Sequence, residues 1–161
     1  MFSDDLRAVM VRDLRAVARE VSAYPSDQAL WLSVPGIANS GGTLALHLAG
    51  NLRHFVGNVL GGDSYVRDRE DEFARRGSSR ATVVLEIEAA IAAVEHALTQ
   101  ITDVKWCADY PLELGGRRFS NSRFALHLSA HLAYHLGQMD YHRRILAPES
   151  GTAATMSLTE L

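Results

Sequence analysis

Residues 122–146, SRFALHLSAHLAYHLGQMDYHRRIL, decide how this chain folds. Phe124, Leu128, Leu132, Met139 and Leu146 recur at helical spacing, so the stretch reads as one long amphipathic helix. Ser120 or Asn121 offers a capping side chain at its start, and Pro148 and Gly151 end it. Four of the seven histidines lie here: His127, His131, His135 and His142. With Phe124 at zero and ~100° per residue, Leu128 falls at ~40°, Met139 at ~60° and Leu132 at ~80°. On the same wheel His131 lies at ~340°, His142 at ~0° and His135 at ~20°, inside the apolar arc, and His127 at ~300° on its edge. Imidazoles that face a core need partners, because an unsatisfied buried polar group costs about 1–3 kcal/mol.

A helix of this length needs others to bury it. Leu6, Val9, Met10, Leu14, Val17 and Val21 give a first helix from after Ser3 to about Ser22, with Ser3-Asp4-Asp5 supplying a cap and negative charge at the positive end of its dipole. Leu44, Leu48, Leu52, Phe55 and Val59 form the arc of a second, from Thr43 to Leu60, closed by Gly61-Gly62. Val83, Ile87, Ala90, Ile91, Val94 and Leu98 mark a third over 80–101, preceded by Ser78-Ser79. Residues 63–76 are dense in charge and read as a solvated connection with some helical turn. Residues 104–118 contain Trp106, Tyr110, Pro111 and Gly115-Gly116 and read as a short hairpin or an irregular crossover. The expectation is an all-α four-helix bundle over residues 1–148, with a long connection between the third and fourth helices. A poorly ordered tail is expected over 149–161.

Composition narrows the function classes. A chain of 161 residues suits one core, and a net charge of -3 argues against binding nucleic acid through a general basic surface. The single cysteine, Cys107, rules out an intramolecular disulfide and cysteine-based zinc motifs; alone, it reads as an inert small residue. The acidic start has no signal-peptide pattern, and no apolar run approaches the roughly 20 residues of a membrane span, so a cytoplasmic protein with no membrane partner is expected. Glu-x-x-His pairs, phosphate-binding loops and dinucleotide fingerprints are missing, which disfavours diiron oxidase and nucleotide chemistry.

The histidines remain. His131 and His135, spaced i and i+4, can present ring nitrogens to one metal ion from one helix face. A third ligand would come from another helix: His47 or His54 on the second, or His96 on the third. Periodicity does not choose between His47 and His54, which both flank the apolar arc. His127 has the same spacing to His131 and competes as a ligand. Three neutral imidazoles suit zinc, nickel or iron(II), and leave coordination open for water or substrate. Asn51, one turn beyond His47, and Gln138, three residues beyond His135, could steady the ligand rings; otherwise they cap backbone or face solvent.

Leu46-His47-Leu48-Ala49-Gly50-Asn51, followed by His131-Leu132-Ala133-Tyr134-His135-Leu136-Gly137-Gln138, resembles the DinB/YfiT superfamily. Tyr65 to Phe73 resembles one branch of it, and the likeness runs over nearly the whole chain. Leu136 stands where many relatives carry arginine. The resemblance implies a metal site at His47, His131 and His135, in an up-down-down-up bundle that is frequently a homodimer. It further implies an enzyme acting on a small-molecule substrate, either a transferase using a low-molecular-weight thiol or a hydrolase. One divalent ion, zinc or nickel foremost, would activate the thiol or water. The alternatives are a non-catalytic metal-binding or stress-response module, and a bundle that keeps its histidines for packing and binds no metal.

Overall fold

In the computed structural model, residues 1–151, 153 and 157–161 are described. Four long helices form the bundle: α1 (Phe2–Ala23), α2 (Gly41–Leu52), α4 (Arg80–Gln100) and α6 (Asn121–Leu146). Two short ones sit in the connections, α3 (Arg69–Ala74) and α5 (Asp103–Cys107). Ser40, Asp68, Ser79 and Ser120 cap α2, α3, α4 and α6, each accepting from the N–H three residues on. Each such cap is worth about 1 kcal/mol. Among the described residues no helix is long and apolar enough to cross a membrane.

α1 and α2 each pack against both α4 and α6. The ends show the directions. Tyr24, just past α1, reaches His142 near the C-terminal end of α6, and Ser3 at the start of α1 donates to the carbonyl of Ile101 just past α4. Gly41 at the start of α2 lies against Tyr24, while Gly57 and Gly61 lie against Ala93 and Ala97 of α4. Thus α1 and α6 run one way and α2 and α4 the other. The core between them is built from the expected stripes: Leu6, Met10, Leu14, Val17 and Val21; Leu44, Leu48 and Leu52; Val83, Ile87, Ala90, Val94 and Leu98; Phe124, Leu128, Leu132 and Met139.

Three local expectations change. Ser3 does not cap α1; its hydroxyl donates to Ile101 O and accepts from the Trp106 indole at 2.7 Å, because burial there makes the long-range bonds the better partners. The second helix does not keep one pitch to residue 60. Arg53–Asn58 is a π-helical segment, with Val59 N–H donating to His54 O. Its i→i+5 bonds widen the turn, so Val56 and Leu60 enter the core in place of Phe55 and Val59, which are only partly buried. The charged run 63–76 has its expected helical turn in α3 but is not wholly solvated, since Glu72 is buried. The 102–119 connection takes the irregular form of its two readings, with α5 and two isolated bridges, Asp109 to Ser120 and Leu114 to Arg117. Of the tail 149–161, residues 152 and 154–156 lie outside the described residues; Arg143 donates to Gly151 O and Arg19 to Glu160.

Candidate metal centre

α2 and α6 carry the chemistry side by side. On α6 the i, i+4 spacing stacks His131 and His135 on one face, with their Nε2 atoms 3.0 Å apart. His47 comes across from α2, its Nε2 3.4 Å from that of His131. One ring nitrogen of each histidine lies within 4.8 Å of the others, and His47 is buried while His131 and His135 are half-buried. Two ligands bound tetrahedrally at ~2.0–2.1 Å would lie about 3.3 Å apart, so this spacing fits a single ion.

The hydrogen bonds behind the rings set which nitrogen is free. His47 Nδ1 donates to Glu72 Oε2 at 3.2 Å, and His135 Nδ1 donates to Gln138 Oε1 at 2.6 Å. Arg67 Nη2 also lies 3.3 Å from His47 Nδ1, but the Glu72 carboxylate and the Gln138 amide oxygen can only accept, and the tautomer that suits them leaves a lone pair at Nε2 facing inward in both rings. Glu72 is itself gripped by Arg67, whose Nε and Nη2 each reach a carboxylate oxygen at 2.7 Å. Burial alone would raise the Glu72 carboxyl, but Arg67 and then His47 outweigh it and hold the group below the usual carboxylate range. It therefore stays an anion that accepts from His47. The Phe73 ring packs against His47.

Electrostatics keep the α6 pair neutral. Burial, then the neighbouring His135, His47, His127 and Arg67, push His131 down to about 4. Burial foremost also lowers His135, against a contrary pull from Gln138. Neutral imidazoles with converging lone pairs are the donor set a divalent ion of the zinc or nickel type requires. Nδ1 of His131 has no partner among the described residues.

The other histidines separate clearly. His142 is buried but serves the fold: its Nδ1 meets Tyr24 Oη at 2.7 Å and its Nε2 meets the Leu32 carbonyl at 3.0 Å. His127 is exposed and stacks on Phe124. His54 lies on the π-helical segment against Phe55, outside the cluster. His96 is exposed and bonds to Gln100. Of its two readings Gln138 takes the supporting one, its Oε1 lying 2.6 Å from His135 Nδ1. Asn51 does not; it is buried, and its Oδ1 has no partner among the described residues. Cys107 is exposed at the end of α5. Sequence reasoning missed Glu72 and Arg67. The only signal for them was the likeness of Tyr65 to Phe73 to one branch of the superfamily, since a charge run with no regular period reads as surface.

A DinB-like protein from Bacillus cereus has a similar structure, with a TM-score of 0.66 and 19% sequence identity over 83% of this chain and 85% of that one. At that identity the likeness concerns the fold, which is all-helical and DinB-like. No curated protein matches the chain. The family described as "Protein of unknown function (DUF1572)" matches residues 2–158, and the chain belongs to it.

Proposed function

We propose that this protein is a metal-dependent enzyme whose centre is one divalent ion, zinc or nickel, held by His47, His131 and His135. The reaction class is thiol transfer or hydrolysis on a small-molecule substrate, with a low-molecular-weight thiol as the cosubstrate in the first case. The observation that carries this reading is the convergence of one ring nitrogen from each of three histidines, with Glu72 and Gln138 in contact with the far nitrogens of two of the rings. The ion would supply a Lewis acid that lowers the pKa of a thiol or water. The chain's own share is positional. Glu72, fastened by Arg67, fixes the His47 ring; Gln138 fixes the His135 ring; burial keeps the α6 rings neutral and ready to ligate.

Elemental analysis of untagged protein tests the first half, with one zinc or nickel per chain expected. Chelation followed by re-addition of the ion, read in thiol-conjugation and hydrolase assays, tests the second. Protein purified without tag that neither contains nor takes up a divalent ion would overturn the proposal. So would an activity that survives both complete chelation and His135→Ala.

A further inference from the structure

The charged segment that leads into α3 divides its side chains between two cavities. In one, acids and arginines are matched: Arg53 and Arg75 both pair with Glu86, and Arg75 also with Asp71. The other, of about 450 Å³, has a size common for small-molecule sites. Arg67, Arg69, His54, Phe55 and Tyr65 line it, and no carboxylate does among the described residues. Two guanidiniums without an acid are out of keeping with a chain of net charge -3.

Both guanidiniums are held in place, and both keep capacity to donate. Arg67 spends Nε and Nη2 on Glu72, and its guanidinium carbon lies 5.6 Å from the centre of the Phe55 ring. Its Nη1 has no partner among the described residues and is open to solvent. Arg69 makes no ion pair among the described residues; its guanidinium sits over the Phe73 ring at 4.8 Å. The acids of the same segment are engaged elsewhere. Asp63 accepts from the Tyr65 N–H, and Asp68 caps α3. Burial, then Arg67, lowers His54, so the histidine is neutral at pH 7 and the positive charge of the cavity is that of the arginines. A guanidinium fork matches carboxylate and phosphate oxygens, and the two aromatic rings give an apolar body something to lie against.

We infer that this cavity binds a small organic anion, its carboxylate or phosphate at Arg67 Nη1 and Arg69 and its apolar body against Phe55 and Tyr65. The inference goes beyond the proposed function and does not need a metal ion at His47, His131 and His135.

Benzoate, phenyl phosphate and the neutral analogue benzyl alcohol are the probes, added to the full chain as purified and again after chelation. The ring signals of His54 in nuclear magnetic resonance report binding in this cavity, with exposed His96 as the reference. The anions should move the His54 signals saturably, with a Kd on the order of 1 mM, before and after chelation alike. Benzyl alcohol should bind at least ~10-fold more weakly. Arg69→Gln should weaken the anions about 5–10-fold, and Arg69→Lys by less, because the charge is kept. Arg69 is exposed, so both variants should fold, which thermal unfolding checks; the contrast between benzoate and benzyl alcohol needs no variant. Tighter binding of benzoate would identify the ligand as a carboxylate, and of phenyl phosphate as a phosphate.

Benzyl alcohol that binds as tightly as the anions overturns the inference, as does anion affinity unchanged by Arg69→Gln. Anion binding that disappears on chelation would place the anion on a metal ion and overturns it too. So does the lack of any saturable shift at His54 with either anion.

Discussion

Gly50→Ala puts the support behind His47 under direct strain. A Cβ on Gly50 would fall inside van der Waals contact with Glu72 Oε1 and stand only 2.8 Å from Glu72 Cδ. To restore ordinary contact the carboxylate must retreat by roughly 1 Å. It has little slack, because Arg67 holds both oxygens at 2.7 Å and His47 Nδ1 reaches Oε2 at 3.2 Å. The retreat therefore breaks the bond that orients His47. Loss of such a ring-orienting carboxylate weakens metal binding about 10–100-fold, or about 1.4–2.8 kcal/mol.

The fold should not suffer to match. Alanine in place of a helical glycine stabilises by about 0.5–1 kcal/mol, which offsets part of the lost bond. The assay is calorimetric titration of the metal-free protein with zinc at neutral pH, beside thermal unfolding. Glu72→Gln should reproduce the loss of affinity without a clash. Gly50→Ala combined with Glu72→Gln should add little to either, because both changes remove one interaction. Wild-type zinc affinity in a folded Gly50→Ala protein would refute the reasoning. Weakening by Gly50→Ala with none by Glu72→Gln would show that the glycine matters for another reason.

His47→Ala, His131→Ala and His135→Ala should each reduce zinc affinity by more than the roughly 10–100-fold expected at Glu72, whereas His54→Ala and His96→Ala should leave it within a few-fold in the same titration. Without metal, the protein should lose stability on acidification. The folded His131 titrates near 4 against an ordinary value of 6.5, so the unfolded chain binds the proton first. Stability is full above about pH 6.5 and declines toward pH 4, by at most about 3 kcal/mol for this half-buried ring. Urea unfolding at pH 7.5 and pH 5 measures it, and a pH-independent midpoint would contradict it. Tyr24→Phe removes the hydroxyl that meets buried His142 and should cost about 1–3 kcal/mol in denaturant unfolding, with zinc affinity unchanged. The homodimer stands as a proposal; light scattering at micromolar concentration should give twice the chain mass, and a monomer would reject it.

Much of the architecture was legible in the sequence because helical periodicity is a local property. Leu6 to Val21, Val83 to Leu98 and Phe124 to Met139 were each readable as one stripe, and each is buried as a stripe apart from Val9 and Ile91, which are only partly buried. The i, i+4 spacing of His131 and His135 likewise needs no partner helix to bring the rings together. Pitch was the first thing out of reach. The π-helical Arg53–Asn58 moves Val56 and Leu60 inward, and nothing in a 3.6-residue wheel announces that widening. The wheel also put His142 on the same inward face as His131 and His135. Only the arrival of Tyr24 and the Leu32 carbonyl assigns it to the fold rather than to the three-histidine cluster. Choosing His47 over His54 required the resemblance first and then the packing of α2 on α6, since the two residues flank one apolar arc. Glu72 lies 25 residues from His47, in a run of charge that by itself looks solvated. Burial of that carboxylate, its grip by Arg67 and the gap at Gly50 that admits it are contacts between segments distant in sequence, and such contacts exist only once the chain has folded.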